Sequence, residues 1–238
     1  MKIKTFLLTI LTSLFLFLSF PNFNLGFAAW FAFVPLFFAL HKQTKRRAFW
    51  ISYICGFLFF ILTLYWLMHV TLAGLILLCL YLAFYFAFFG YFFVGFKRLF
   101  PTYNLSIAIL LSCLWVILEY LRGEVFSGFP WVLLGYSQYL NIKLIQFADI
   151  TGSLGVSFLV IFVNLCIFET AKSLFDREYK ISLKIFLSLL LIFTLIYSYG
   201  NYSFKKYSSS AGSVFRLSLL QGNIPQDEKW LKENEEKI

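Results

Sequence analysis

Two ionisable residues, Glu119 and Arg122, lie three positions apart near the end of the apolar run Leu105 to Leu121. That spacing puts both on one face of a helix. A carboxylate and a guanidinium at such depth in apolar sequence are costly to keep and commonly serve function. Two chemistries suit them: a mutual ion pair, or Arg122 holding a lipid phosphate while Glu119 orients it. Both stay open at this point. The stretch that follows, Arg122 to Thr151, is too long for a hairpin, and Gly123, Gly128, Pro130 and Gly135 discourage a regular helix. Its aromatic residues Phe126, Phe129, Trp131, Tyr136 and Tyr139 are of the types that settle where headgroups meet acyl chains. A loop anchored at the membrane interface and a lipid-handling surface are both consistent with them.

The remaining chemistry-bearing residues are few. Glu169 closes an apolar run and reads as solvated, and His69, beside Tyr65 and Trp66, reads as an interface residue. Cys55, Cys79, Cys113 and Cys166 each lie inside an apolar run, without CxxC pairing or a His or carboxylate at ligand spacing. They read as small buried residues rather than metal ligands or disulfide partners. A thiol in hydrocarbon also lacks a neighbour to hold it as thiolate, which counts against a nucleophile. No metal or cofactor is expected.

The elements that position these residues are membrane helices. Hydrophobic residues make up 61% of the chain and charged ones 13%, against about 50% and 25% for soluble domains. The apolar runs are Phe6 to Phe20, Leu25 to Leu40, Ala48 to Met68, Leu72 to Phe96, Leu105 to Leu121, Gly152 to Thr170 and Ile185 to Tyr199. Each approaches the roughly 20 residues that a spanning helix needs, so the sequence predicts an all-α polytopic membrane protein with about seven transmembrane helices. The first run follows Lys2 and Lys4 like a secretory signal, but Ser19-Phe20-Pro21-Asn22 offers no small-x-small cleavage site, and it is kept as a span.

Charge sets the expected orientation. Before the tail that follows Tyr199, Lys2, Lys4, Lys42, Lys45, Arg46, Arg47, Lys97, Arg98, Lys172, Arg177, Lys180 and Lys184 fall on one side of a seven-span topology, and Arg122 and Lys143 on the other. Twelve against two predicts a cytoplasmic N-terminus, because basic residues near span ends are retained inside. The chain after Tyr199 is then extracytoplasmic. The net charge of +9 is thereby a topology signal, and nucleic acid is not an expected partner.

The expected domains are a transmembrane region over 1–200, a polar linker over 201–213 and the start of an extracytoplasmic domain over 214–238. Val214 to Leu220 reads as a strand, Gln221 to Gln226 as a turn with Gly222, Asn223 and Pro225, and Asp227 to Ile238 as a helix capped by Asp227. A lone strand cannot pair its backbone or bury its apolar face. The expectation is that further sheet is supplied after Ile238 or by another chain.

Glu119-Tyr120-Leu121-Arg122-Gly123, Ser127-Gly128-Phe129-Pro130-Trp131 and Gly135-Tyr136-Ser137-Gln138 together resemble the signature of bacterial apolipoprotein N-acyltransferase. Leu220-Gln221-Gly222-Asn223-Ile224-Pro225-Gln226 with Lys229-Trp230 resembles the opening of that family's nitrilase-like α/β domain. Pro21-Asn22-Phe23 and Tyr65-Trp66 match more loosely, so the resemblance covers nearly the whole chain. It implies an inner-membrane enzyme that moves an acyl chain from phospholipid to an enzyme cysteine, then to the α-amine of a lipoprotein's diacylglyceryl-cysteine. It implies a Cys nucleophile, a Glu base and a Lys for the oxyanion, all beyond residue 238 and followed by an eighth span. Such a division of labour is sound, since the base takes the thiol proton and the cation meets the developing oxyanion.

On the residues present, the resemblance makes Trp230, Gln221 and Asn223 candidates for an active-site wall. It makes Trp131, Phe129, Pro130, Tyr136, Gln138, Glu119 and Arg122 candidates for lipid binding. The implied partners are a phospholipid acyl donor, the diacylglyceryl lipoprotein, membrane lipid and a possible separate nitrilase-like chain. This chain by itself is expected to be inactive. The alternative from another class is a non-enzymatic membrane subunit, either the substrate-binding component of a transporter or a scaffold for a soluble partner. Few polar groups fall near the middle of the runs and no inverted repeat is visible, which lowers the transporter reading.

Overall fold

A computed structural model describes residues 2–100, 105–208 and 216–221. Among them are seven α-helices: α1 (Ile3–Ser19), α2 (Val34–Leu40), α3 (Lys45–Thr63), α4 (Leu72–Leu99), α5 (Leu105–Glu124), α6 (Ala148–Phe175) and α7 (Tyr179–Ser208). Five of these, α3 to α7, are long and apolar enough to cross a bilayer. The expected all-α membrane architecture is what forms.

Helices in lipid are not driven together by water, so close backbone approach decides which pairs pack. One face of α1 buries Thr5, Thr9, Thr12, Ser13 and Ser19, and Ser13 Oγ donates to the Cys55 carbonyl of α3 at 2.9 Å. The α3–α4 hairpin is closer still. A Cβ placed on Gly90 would stand 2.0 Å from Ser52 Oγ, and one on Gly56 would stand 2.7 Å from the Cβ of Phe86. The gaps between helices are filled by rings: Phe33 meets Trp115 edge-on at 4.9 Å and Phe37 stacks on Phe93 at 4.9 Å. Phe33, Phe37, Phe89, Phe93 and Phe168 are all buried. Phenylalanine here is core material as well as lipid-facing surface.

The second apolar run departs from a continuous span. It forms a 3-10 turn, Gly26–Trp30, and then the seven-residue α2. Free backbone groups at such a break must find partners inside the protein. The amide of Phe33 donates to Asn164 Oδ1 at 2.8 Å, and Asn164 Nδ2 donates to the carbonyl of Ala29 at 2.8 Å. Asn164 lies in α6 and is fully buried. A single amide side chain thus bridges both edges of the break.

Three further expectations are corrected. Helix α7 runs on to Ser208 through the segment expected to be a linker from Tyr202, because Tyr202, Phe204 and Tyr207 continue its pattern of large side chains. Within the expected strand, residues 216–220 carry no regular secondary structure, and Leu217, Leu219 and Leu220 are exposed. No neighbouring strand exists among the described residues to pair with them. Cys113 is exposed on α5, unlike buried Cys55, Cys79 and Cys166, since it shares the outward face with Ile109, Leu110 and Ile117.

Candidate functional site

The segment after α5 is built around the two ionisable residues that open it. Arg122 is 2% exposed, and its Nη2 donates to the carbonyls of Trp131 and Val132, each at 3.2 Å. Its guanidinium lies 5.3 Å from the centre of the Phe60 ring. Glu119, also buried, accepts the amide of Leu134 on Oε1 at 2.7 Å. The two do not form the ion pair the spacing allowed: the ion pair found among the described residues joins Lys97 and Glu169. Each instead binds backbone of the loop, Arg122 by carbonyls and Glu119 by an amide. A helix end that projects one acceptor and one forked donor therefore fixes the course of residues 131–134.

The loop turns tightly enough to need unusual backbone. Gly128 has φ +71°, and a Cβ there would stand 2.1 Å from the Gly123 carbonyl. Val132 has φ 58°, a conformation in which β-branched residues are genuine outliers. The carbonyl it turns inward is one of the two that Arg122 holds.

Beyond the turn, a 3-10 segment (Leu134–Gln138) lies against α6. The amide of Gly135 donates to Ser157 Oγ at 2.8 Å, and a Cβ on Gly135 would stand 2.4 Å from the Ser153 carbonyl. Gln138, fully buried, donates through Nε2 to the carbonyl of Gly26 at 2.7 Å and accepts from Asn141 Nδ2 at 2.7 Å. Tyr139 donates its hydroxyl to Asn24 Oδ1. The motif residues Glu119, Arg122, Gly135 and Gln138 thus act as one clamp between α5, α6 and the turn preceding α2.

The clamp leaves an aromatic surface facing outward. Trp131 stacks on Trp66 with ring centres 5.3 Å apart, and Phe129 packs on Trp131 at 5.5 Å. Trp131, Pro130 and Tyr136 are exposed and Phe129 is half-buried. Next to them opens a cleft of about 500 Å³ lined by Phe20, Pro21, Asn22, Thr63, Trp66, Val132, Tyr136 and Tyr139. Its wall is mostly aromatic carbon with tyrosine hydroxyls and an amide at intervals, which suits an acyl chain with a polar head.

The candidates named from sequence therefore separate. Trp131, Pro130 and Tyr136 are exposed and Phe129 is half-buried, whereas Glu119, Arg122 and Gln138 are buried and hydrogen-bonded to backbone. The reading of Arg122 as a phosphate grip does not fit its burial and its two carbonyl partners. Gln221 is exposed and without regular structure, while Asn223 and Trp230 lie outside the described residues. Phe20, Thr63 and Asn164 were not singled out by sequence. A polar Asn in the middle of an apolar run was the available signal for the last.

The N-terminal domain of apolipoprotein N-acyltransferase matches residues 12–166 of this chain. The chain belongs to that family. An apolipoprotein N-acyltransferase of Geobacter metallireducens is 34% identical over 95% of the chain and 45% of its own length. Those of Pasteurella multocida and Vibrio cholerae are 29% and 33% identical over 96% and 82% of the chain, or 45% and 39% of their own lengths. The chain thus spans less than half the length of these relatives. The matched region takes in the clamp, the aromatic surface and the cleft. A transporter component is not favoured by these likenesses.

Among the described residues no group of His, Cys, Asp and Glu is placed to hold a metal ion. The four cysteines are dispersed through α3 to α6, and Cys55 has Ser13 as its polar neighbour.

Proposed function

We propose that this chain is the membrane portion of an apolipoprotein N-acyltransferase, which moves an acyl chain from phospholipid to the N-terminal diacylglyceryl-cysteine of a lipoprotein. The observation that carries the reading is the aromatic cleft beside Trp66 and Trp131, held open by the clamp of Glu119, Arg122 and Gln138. In this reading the cleft receives acyl chains at the membrane interface. Trp131, Phe129, Pro130 and Tyr136 contact lipid, and Glu119, Arg122 and Gln138 position them. The N-terminus is cytoplasmic in the bacterial inner membrane, and the chain after Tyr199 is extracytoplasmic. The Cys, Glu and Lys of the acyl transfer lie beyond residue 238, in the same or a separate nitrilase-like chain, with Gln221, Asn223 and Trp230 contributing to the wall of that site.

An acyl-transfer assay on the purified 238-residue chain tests the division of labour. No turnover is expected. Turnover that survives replacement of all four cysteines would overturn the assignment of chemistry to a cysteine elsewhere. A phospholipid carrying a photoreactive group at its acyl terminus tests the cleft: labelling should fall on peptides containing Trp66 and residues 131–139, and labelling spread evenly over α3 to α7 would remove the cleft from the proposal.

A further inference from the structure

At the other end of the bundle the helices close around a second, very different cavity. Helix α4 is 28 residues long, about 42 Å from end to end. One end lies by the 3-10 turn that carries Trp66, and the other carries Lys97 and Arg98. There a cavity of about 310 Å³ is lined by His41, Lys42, Lys97, Arg98 and Lys172, with Leu40, Phe93 and Val94 as its floor. The cations come from three separate elements: the turn after α2, the end of α4 and the end of α6.

Most of that charge is not compensated. Lys97 pairs with Glu169, whose side chain is 7% exposed. Arg98 donates to the Gln43 carbonyl at 3.1 Å, a neutral acceptor. Lys42 adopts a left-handed backbone, φ 66°, which turns the chain sharply between His41 and Gln43. Four cations and one carboxylate leave a net charge of +3 with His41 neutral. The pKa of His41 is lowered, first by burial, then by Lys172 and Lys42, with Glu169 opposing and Lys97 adding. Its ring also packs edge-on against Phe168 at 6.1 Å. Like charges gathered around a cavity of small-ligand size call for an anion between them.

We propose that this cavity binds the phosphate of an anionic phospholipid headgroup. The volume accommodates a headgroup rather than a whole lipid, and the buried side chains of Leu40, Phe93 and Val94 close its inner end. Basic pockets between helix ends are a recurring way to hold anionic lipid. Lys97, held by its pair with Glu169, is the fixed part of the wall, while Arg98 and Lys172 supply donors to the phosphate oxygens. The site lies at the opposite end of α4 from the aromatic cleft, so it stands or falls independently of the acyl-transfer reading.

The chain has two histidines, which makes the test direct. The full chain is placed in nanodiscs of phosphatidylcholine, with or without phosphatidylglycerol, and both imidazoles are titrated by NMR. Phosphatidylglycerol should raise the His41 pKa by more than that of His69, which reports the general surface potential. The excess should vanish in the Arg98→Gln/Lys172→Gln double variant, whose substituted residues are surface-accessible and leave the Lys97–Glu169 pair intact. Retention of phosphatidylglycerol in native mass spectrometry should weaken about thirtyfold in that variant. Equal shifts at His41 and His69, or an excess shift that persists in the double variant, would overturn the proposal. An equal excess shift produced by inorganic phosphate in phosphatidylcholine discs would also overturn it, by removing the lipid as ligand.

Discussion

Replacing Arg122 by alanine should release the loop that carries Trp131 without unfolding the bundle. The guanidinium makes two bonds to the Trp131 and Val132 carbonyls at 3.2 Å; at the low end of the range for charged donors they contribute about 1.5 kcal/mol each, or about 3 kcal/mol together. The contact with Phe60 adds to this, and Glu119 is left buried beside the gap. A local destabilisation of about 3 kcal/mol corresponds to about a hundredfold increase in opening. Hydrogen exchange in nanodiscs reads it directly, because the amides of Phe129, Leu134, Gly135 and Tyr136 are hydrogen-bonded within the clamp. Their protection should fall about a hundredfold, while amides in the middle of α4 keep theirs. Arg122→Lys should fall part-way, since an ammonium keeps the charge and can donate to the carbonyls but lacks the planar guanidinium that lies over Phe60. Unchanged protection at these four amides, or an equal loss throughout α3 to α6, would refute the clamp.

Other outcomes follow from the same geometry. Gly135→Ala places a Cβ 2.4 Å from the Ser153 carbonyl, so the 3-10 segment should lift from α6 and the Trp66–Trp131 stack should loosen, seen as altered tryptophan emission. Asn164→Leu leaves the Phe33 amide and the Ala29 carbonyl unpartnered, which should lower stability by about 2–6 kcal/mol, at about 1–3 kcal/mol for each buried group; Asn164→Asp should restore the amide's acceptor but not the donor. Gly90→Ala drives a methyl against Ser52 Oγ and should lower stability, with Ser52→Ala in the same chain recovering part of it. His41 has a lowered pKa in the folded chain, so its unfolded form binds the proton more readily. Stability should therefore hold above about pH 6.5 and decline as pH falls toward the folded value, a slope that His41→Gln removes.

The sequence by itself determined that this is a multi-helix membrane protein, and it located nearly every helix. Uninterrupted apolar runs leave no other structure able to satisfy its backbone in lipid. Tertiary contact decided the surroundings of Glu169, which reads as solvated from sequence but is buried against Lys97, near Arg98 on the Gln43 carbonyl and Lys45 over the Tyr91 ring. The motif from Glu119 to Gln138 marked the segment that folds into the clamp. What the spacing of Glu119 and Arg122 left open was which partner each would choose. Three residues of helix bring both groups to one face, but only the folded loop offers carbonyls to one and an amide to the other, and those backbone groups win over the ion pair. The break between Gly26 and Leu40 was likewise decided by tertiary structure, because its open hydrogen bonds are closed by Asn164, more than a hundred residues away. Local sequence fixes what a helix can be, and contact across the bundle fixes where it is allowed to stop.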